Sequence, residues 1–105
     1  MNMIDIGPLS NIPREGARVV KTRLGCVAVF RTATDQVFAL QDRCPHKGGP
    51  LSEGIVHGTH VTCPLHNRVF DLSTGLGEGE VPTYAARVEG GRVLIDSTLL
   101  SRSAA

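Results

Sequence analysis

Two short segments of this sequence read almost alike, and each combines one cysteine with one histidine. They are Cys44-Pro45-His46-Lys47-Gly48-Gly49 and Cys63-Pro64-Leu65-His66-Asn67. Sixteen residues separate His46 from Cys63, so the whole pattern is C-x-H-x16-C-x2-H. Four side chains that bind soft or borderline metals therefore recur in two matched loops. This repeat constrains the fold more than any other feature, because both loops must approach one centre.

The donor set favours zinc, copper or an iron–sulfur cluster over a hard cation, which would prefer carboxylates. Two cysteines and two histidines can close a tetrahedral zinc site, but common zinc fingers pair cysteine with cysteine and histidine with histidine. Here each loop mixes the two types. A two-iron cluster explains the mixing if each loop gives its cysteine to one iron and its histidine to the other. A zinc-stabilised binding module remains the alternative from another functional class.

At these residues the chain resembles the Rieske [2Fe–2S] family. The resemblance continues through Phe70-Asp71, Thr74-Gly75 and a strand pair at about residues 84–95. Within the family, the loops are most similar to those of the small subunit of assimilatory NAD(P)H-dependent nitrite reductase. The Rieske ferredoxins of aromatic-ring dioxygenases are the next most similar group.

The resemblance implies one Rieske-type [2Fe–2S] cluster per chain, held by Cys44, His46, Cys63 and His66, and no catalytic residue. It also implies a single domain over residues 1–105: an all-β, small antiparallel β-sandwich with a cluster-binding subdomain at about residues 42–72. The function implied is electron transfer as a subunit of an oxidoreductase rather than catalysis alone. The partner would be the nitrite reductase large subunit, or a flavin reductase and an oxygenase.

Composition agrees with an ordinary globular domain, at 105 residues with 41% hydrophobic and 20% charged residues. The net charge of +1 gives no reason to expect nucleic-acid or membrane binding. The N-terminus lacks the basic and apolar regions of a signal peptide. Two of the three cysteines are needed as ligands, which leaves no pair for a disulfide. We therefore expect a cytoplasmic protein.

Short β-branched and aromatic runs recur along the chain and predict strands rather than helices. The run at residues 26–31 predicts a buried strand, in which Cys26 is expected to be a core side chain. Residues 76–82 are rich in glycine and predict a loop, and residues 84–88 and 92–95 predict a hairpin. His57 and His60 are expected to be solvated or locally hydrogen-bonded rather than ligands.

The resemblance also suggests a low reduction potential. High-potential Rieske proteins carry two extra loop cysteines in a disulfide, together with a serine and a tyrosine whose hydroxyls point toward the cluster. In an ungapped alignment of the loops, the cysteine positions are Gly49 and Leu65, and the hydroxyl positions are Arg68 and Phe70. Hydrogen bonds to cluster sulfurs raise the potential, so their loss predicts a value near the low end of the Rieske range.

Overall fold

Short antiparallel strands build the described part of the chain, which in this computed structural model is residues 3–22, 25–43, 50–63, 68–77 and 79–96. The strands are β1 Met3–Pro8, β2 Gly16–Thr22, β3 Gly25–Arg31, β4 Val37–Gln41, β5 Ile55–His57, β6 His60–Thr62, β7 Val69–Asp71, β8 Leu76–Gly77, β9 Gly79–Glu80, β10 Thr83–Tyr84, β11 Ala86–Glu89 and β12 Arg92–Asp96. Two 3-10 helices span Leu9–Asn11 and Leu51–Glu53. No helix in these ranges has the length and apolar character needed to cross a membrane.

The strands form three sheets. Sheet A has the order β1-β12-β11, sheet B the order β10-β4-β3-β2, and sheet C the order β5-β6-β7-β8-β9. Every strand pair among the described residues is antiparallel. The all-β prediction is confirmed.

Strand β3 belongs to sheet B, which is the central layer. Both faces of β3 are covered. Its four residues at 27–30 are fully buried, which suits the β-branched and aromatic side chains found there. Successive side chains of a strand point to opposite faces, so Val27 and Val29 face one side while Ala28 and Phe30 face the other. Sheet A therefore packs on one face of sheet B, and sheet C packs on the other.

Each face has its own apolar cluster. The cluster between sheets A and B is built from Ile12, Val27, Val29, Val37, Ala39, Val93 and Ile95. The cluster between sheets B and C is built from Ala28, Phe30, Leu40, Leu51, Val56, Val61, Cys63, Phe70, Leu72 and Val81. The second cluster contains a predicted ligand, Cys63, so the packing of sheet C on β3 also positions the candidate metal centre.

The prediction that Cys26 lies in the core is wrong. Cys26 is exposed, and so is its neighbour Gly25. Burial on β3 begins only at Val27, because neither apolar cluster extends over the first two residues of the strand. The run of β-formers marks the strand correctly but does not show where the covering layers end.

The prediction of a loop at residues 76–82 is also wrong in part. Strand β8 pairs with β7, and β9 folds back on β8. A side chain at Gly77 would place its Cβ 2.2 Å from the carbonyl oxygen of Val69, so glycine permits this close pairing. The predicted hairpin is confirmed for β11 and β12, but Tyr84 lies in β10 and pairs with Ala39 of sheet B.

Two glycines with positive φ, Gly75 in the tightly packed stretch before β8 and Gly90 in an open turn, allow the packing of that stretch to be tested. Gly75 has φ of 75°, and a Cβ there would lie 2.0 Å from the carbonyl oxygen of Val81. Gly90 has φ of 57°, and a Cβ there would have no atom within 4 Å. Both substitutions to alanine force a side chain into the left-handed region, which costs about 1–2 kcal/mol.

We expect Gly90→Ala to lower the free energy of unfolding by about 1–2 kcal/mol. Gly75→Ala adds a backbone clash, so we expect a loss of about 2–5 kcal/mol. Urea unfolding of the two variants beside the wild-type protein measures both values. Equal losses would contradict the tight packing of the chain between β7 and β10.

Candidate metal centre

Of the four predicted ligands, Cys63 is the one that lies within the described residues. Cys44, His46 and His66 fall outside them. Cys63 directly follows β6 and is completely buried. It shares a face of sheet C with Val61, two residues earlier, and that face packs against sheet B. The sequence therefore places this thiol on the inner side of the sheet.

Both ligand segments connect to sheet C at one of its ends. Strand β5 begins at this end, β6 finishes there, and β7 begins there again. The last residues of the three strands at this end, Ile55, Thr62 and Val69, lie opposite one another in register. The second ligand segment, residues 63–67, joins β6 to β7 at this end, and the first, residues 44–49, comes from β4 of sheet B and is followed by the helix Leu51–Glu53 and β5. Both segments therefore connect to the same end of sheet C, which is what a shared centre requires.

The second ligand segment is closed at its base by the backbone. The Cys63 N–H donates to the carbonyl oxygen of Arg68 at 2.6 Å, one residue beyond the Thr62–Val69 pair. The β6–β7 ladder thus fixes the relative positions of Cys63 and Arg68.

The residues on either side of the first ligand segment are joined by the side chain of Asp42, which binds Ser52. The N–H of Ser52 donates to Oδ1 of Asp42 at 2.7 Å, and the Ser52 hydroxyl donates to Oδ2 at 2.9 Å. Next to this contact, Leu51 is fully buried in the cluster between sheets B and C. Sequence reasoning missed this pair. An aspartate and a serine that flank a predicted loop are the signal that could have suggested it.

The surroundings of Cys63 fit an iron–sulfur ligand. Its side chain is withdrawn from water in an apolar cluster that includes Phe70 and Leu51. Burial in apolar surroundings disfavours a bare thiolate, whereas a bound cation stabilises it. Thiolate and imidazole donors suit a cluster that carries one electron at a time and keeps no open position for a substrate.

His57 and His60 lie on the opposite face of sheet C from Cys63. Their rings stack with centroids 6.1 Å apart. His57 Nε2 is 2.7 Å from the Thr62 hydroxyl, and His60 Nε2 is 3.7 Å from a carboxylate oxygen of Asp71. His57 is exposed and locally hydrogen-bonded, whereas the His60 side chain is 45% exposed and its contact with Asp71 is too long for a hydrogen bond. The prediction of solvated or locally hydrogen-bonded side chains is confirmed. Within the described ranges no three His, Cys, Asp or Glu residues are grouped as a metal site would need.

Asp71, beside His60, is held in its charged form by its own turn. The Ser73 hydroxyl donates to its carboxylate at 2.6 Å and the Ser73 N–H donates at 2.8 Å. The hydroxyl bond is the main reason that the pKa of Asp71 lies below its usual value, and the Ser73 N–H and the nearby His60 act in the same direction. Asp71 therefore belongs to a local turn rather than to the metal centre.

Comparison with known proteins points to the same centre. A family model described as the Rieske [2Fe–2S] domain matches residues 2–89, which include all four predicted ligands. The ferredoxin subunit of the 3-phenylpropionate/cinnamic acid dioxygenase of Escherichia coli K12 is 33% identical over 102 residues, covering 91% of this chain and 94% of the relative.

Two solved structures are similar over the same length. The E. coli protein NirD is 31% identical with a TM-score of 0.78, covering 90% of this chain and 94% of NirD. A protein solved in a complex of reduced oxygenase and oxidised ferredoxin of carbazole 1,9a-dioxygenase is 26% identical with a TM-score of 0.77, covering 89% of this chain and all of the other. The fold, the buried Cys63 and the matched family model agree, and the chain belongs to the Rieske [2Fe–2S] family of electron-transfer proteins, with a Rieske-type [2Fe–2S] cluster as its cofactor.

Proposed function

We propose that Cys44, His46, Cys63 and His66 hold the cluster, and that the chain is the electron-carrying small subunit of an assimilatory NAD(P)H-dependent nitrite reductase. The observation that supports the ligand set best is that both ligand segments connect to the same end of sheet C, the second between β6 and β7 and the first ahead of β5. The buried thiol of Cys63 lies at that end. Each segment then offers one thiolate and one imidazole, as an asymmetric two-iron cluster needs.

The ligand types determine how readily the centre accepts an electron. Two ferric ions, two sulfides and two cysteinates sum to zero charge, whereas a four-thiolate cluster carries a charge of −2. Adding an electron to a neutral site costs less Coulomb energy than adding one to a dianion. Histidine ligation therefore places Rieske centres at about −150 to +300 mV.

Within this range we expect a low value. Phe70 is fully buried on the inner face of sheet C and has no hydroxyl to donate. Arg68 occupies the position at which high-potential proteins carry the serine hydroxyl. It is half-buried beside Cys63. Fewer hydroxyl donors near the sulfurs leave the reduced form less stabilised, and the potential falls accordingly.

The nitrite reductase assignment is supported by the loop sequence, CPHKGGPLSEGIVHG, and by the similarity to NirD. In this role the chain passes electrons within a complex whose larger subunit carries the catalytic cofactors. The dioxygenase ferredoxin is the second candidate, because a ferredoxin subunit of the same organism as NirD is similar to this chain to about the same degree. In that role a flavin reductase would supply the electron and an oxygenase would receive it.

Either partner needs a surface close to the cluster, and sheet C offers one. Ile55 is 70% exposed and Val69 is 42% exposed, on either side of Thr62 at the end where the ligand segments attach. Exposed apolar side chains grouped together are typical of protein contacts. We propose that the larger redox partner covers this row, which we call the Ile55–Val69 row.

Single substitutions test the ligand assignment. Cys44→Ser and Cys63→Ser should abolish the visible absorption of the cluster and destabilise the domain, because the cluster links two segments that connect different strands. His57→Ala and His60→Ala serve as matched controls and should leave the spectrum unchanged, since both rings lie on the outer face of sheet C. Loss of the cluster in either control would show that the histidines are wrongly assigned.

Electron transfer to purified partners tests the choice between the two roles. With the nitrite reductase large subunit, addition of this chain should increase nitrite-dependent oxidation of NAD(P)H. An aromatic-ring oxygenase mixed with the reduced chain should be reduced slowly or not at all. Rapid reduction of the oxygenase, with no effect on the nitrite reductase, would favour the ferredoxin role instead.

The same assay tests the docking row. Ile55→Ser and Val69→Ser should slow transfer to the partner and leave the reduction potential unchanged, since both side chains face away from Cys63. Ile4→Ser is the control: Ile4 is 38% exposed in sheet A, on the far side of sheet B. Equal rates for all three variants would contradict docking through this row.

A further inference from the structure

Asp42 and Ser52 are joined by two hydrogen bonds although ten residues separate them. The carboxylate accepts the Ser52 N–H with one oxygen and the Ser52 hydroxyl with the other. Both side chains are half-buried. Hydrogen bonds to a charged acceptor are stronger than those between neutral groups, and two of them fix an orientation as well as a distance. The contact therefore resists both separation and rotation of its two ends.

Each end of the contact is anchored in the described core. The N–H of Asp42 donates to the carbonyl oxygen of Cys26 at 2.9 Å, which ties Asp42 to sheet B. Ser52 lies in the helix Leu51–Glu53, next to the buried Leu51, and the N–H of Gly54 donates to the Leu51 carbonyl at 2.9 Å. The carboxylate thus joins the end of sheet B to the approach to sheet C.

The two ligand segments differ in how their ends can be held. The second leaves and re-enters sheet C, so the backbone ladder at Cys63 and Arg68 closes it. The first leaves β4 in sheet B and returns to β5 in sheet C. Because β4 and β5 belong to different sheets, no ladder joins these two described strands, and a side-chain contact must take its place.

We propose that Asp42 is a positioning residue for the first ligand pair, Cys44 and His46. Its carboxylate sets the spacing between the ends of the first segment, and so controls the reduction potential and the retention of the cluster. The inference rests on the ligand set given under the proposed function. Backbone N–H groups near a cluster tune its potential by hydrogen bonding to sulfur, so a change in spacing alters the potential as well as the stability.

Four variants separate positioning from charge. Asp42→Asn removes the charge but can still accept the Ser52 N–H and donate to the Ser52 hydroxyl oxygen. Asp42→Ala removes both the charge and the contact. Ser52→Ala keeps the charge and loses one bond. Ser73→Ala is the matched control, because Ser73 donates from the same two groups to Asp71, only two residues away in a local turn.

The reduction potential and the rate of cluster loss in denaturant are measured for each cluster-loaded protein. Loss of charge shifts the potentials of Asp42→Asn and Asp42→Ala upward together. Loss of positioning should then make the reduction potential of Asp42→Ala lower than that of Asp42→Asn. For the same reason, the potential of Ser52→Ala should be lower than that of the wild type. We expect the cluster to be lost about tenfold faster in Asp42→Ala than in Asp42→Asn. Ser73→Ala should match the wild type in both measurements.

Equal potentials and equal rates of cluster loss in Asp42→Asn and Asp42→Ala would overturn the inference, because charge alone would then explain Asp42. If Asp42→Ala does not fold, Ser52→Ala still decides, since wild-type values in that variant would also overturn it. Wild-type protein without iron and sulfide would instead overturn the proposed ligand set, and with it this inference. The two failures are therefore distinguishable.

Discussion

Strand β3 is buried on both faces, and this burial determines where sheets A and C pack. Val27 and Val29 are covered by sheet A, while Ala28 and Phe30 are covered by sheet C. A strand buried on both faces removes apolar surface from water twice over, which is the dominant favourable term in folding. Sheet C owes its place to this packing, because Val56, Val61 and Phe70 contact the same cluster as Phe30. The apolar packing that stabilises the fold therefore also positions the candidate metal centre.

Side chains alternate between the two faces of sheet C, and the two faces carry different groups of residues. Inner positions hold the apolar cluster and Cys63, whereas outer positions hold the Ile55–Val69 row and the histidine pair. Cys63 on the inner face is protected from water, and the Ile55–Val69 row on the outer face is exposed. The Asp42–Ser52 contact completes this arrangement by joining the end of sheet B to the same site.

Sequence reasoning succeeded where the signal is local. The run of β-formers at residues 26–31 and the glycine turn before β12 follow from side-chain shape and backbone freedom, and both elements are present. The ligand pattern identified the family and the cofactor because mixed cysteine and histidine loops suit few other centres. The predictions failed where the answer depends on tertiary packing. The exposure of Cys26 depends on how far the neighbouring sheets extend, and the Asp42–Ser52 contact depends on how two sheets meet.

In the proposed function, two mixed loops of cysteine and histidine hold a two-iron cluster at the end of sheet C. Iron and acid-labile sulfide analysis of anaerobically purified protein, combined with EPR of the reduced state, tests it most directly. We predict equal amounts of iron and sulfide at two each per chain, and a rhombic signal whose mean g value is lower than that of an all-thiolate cluster. Stoichiometric zinc with no sulfide would contradict it.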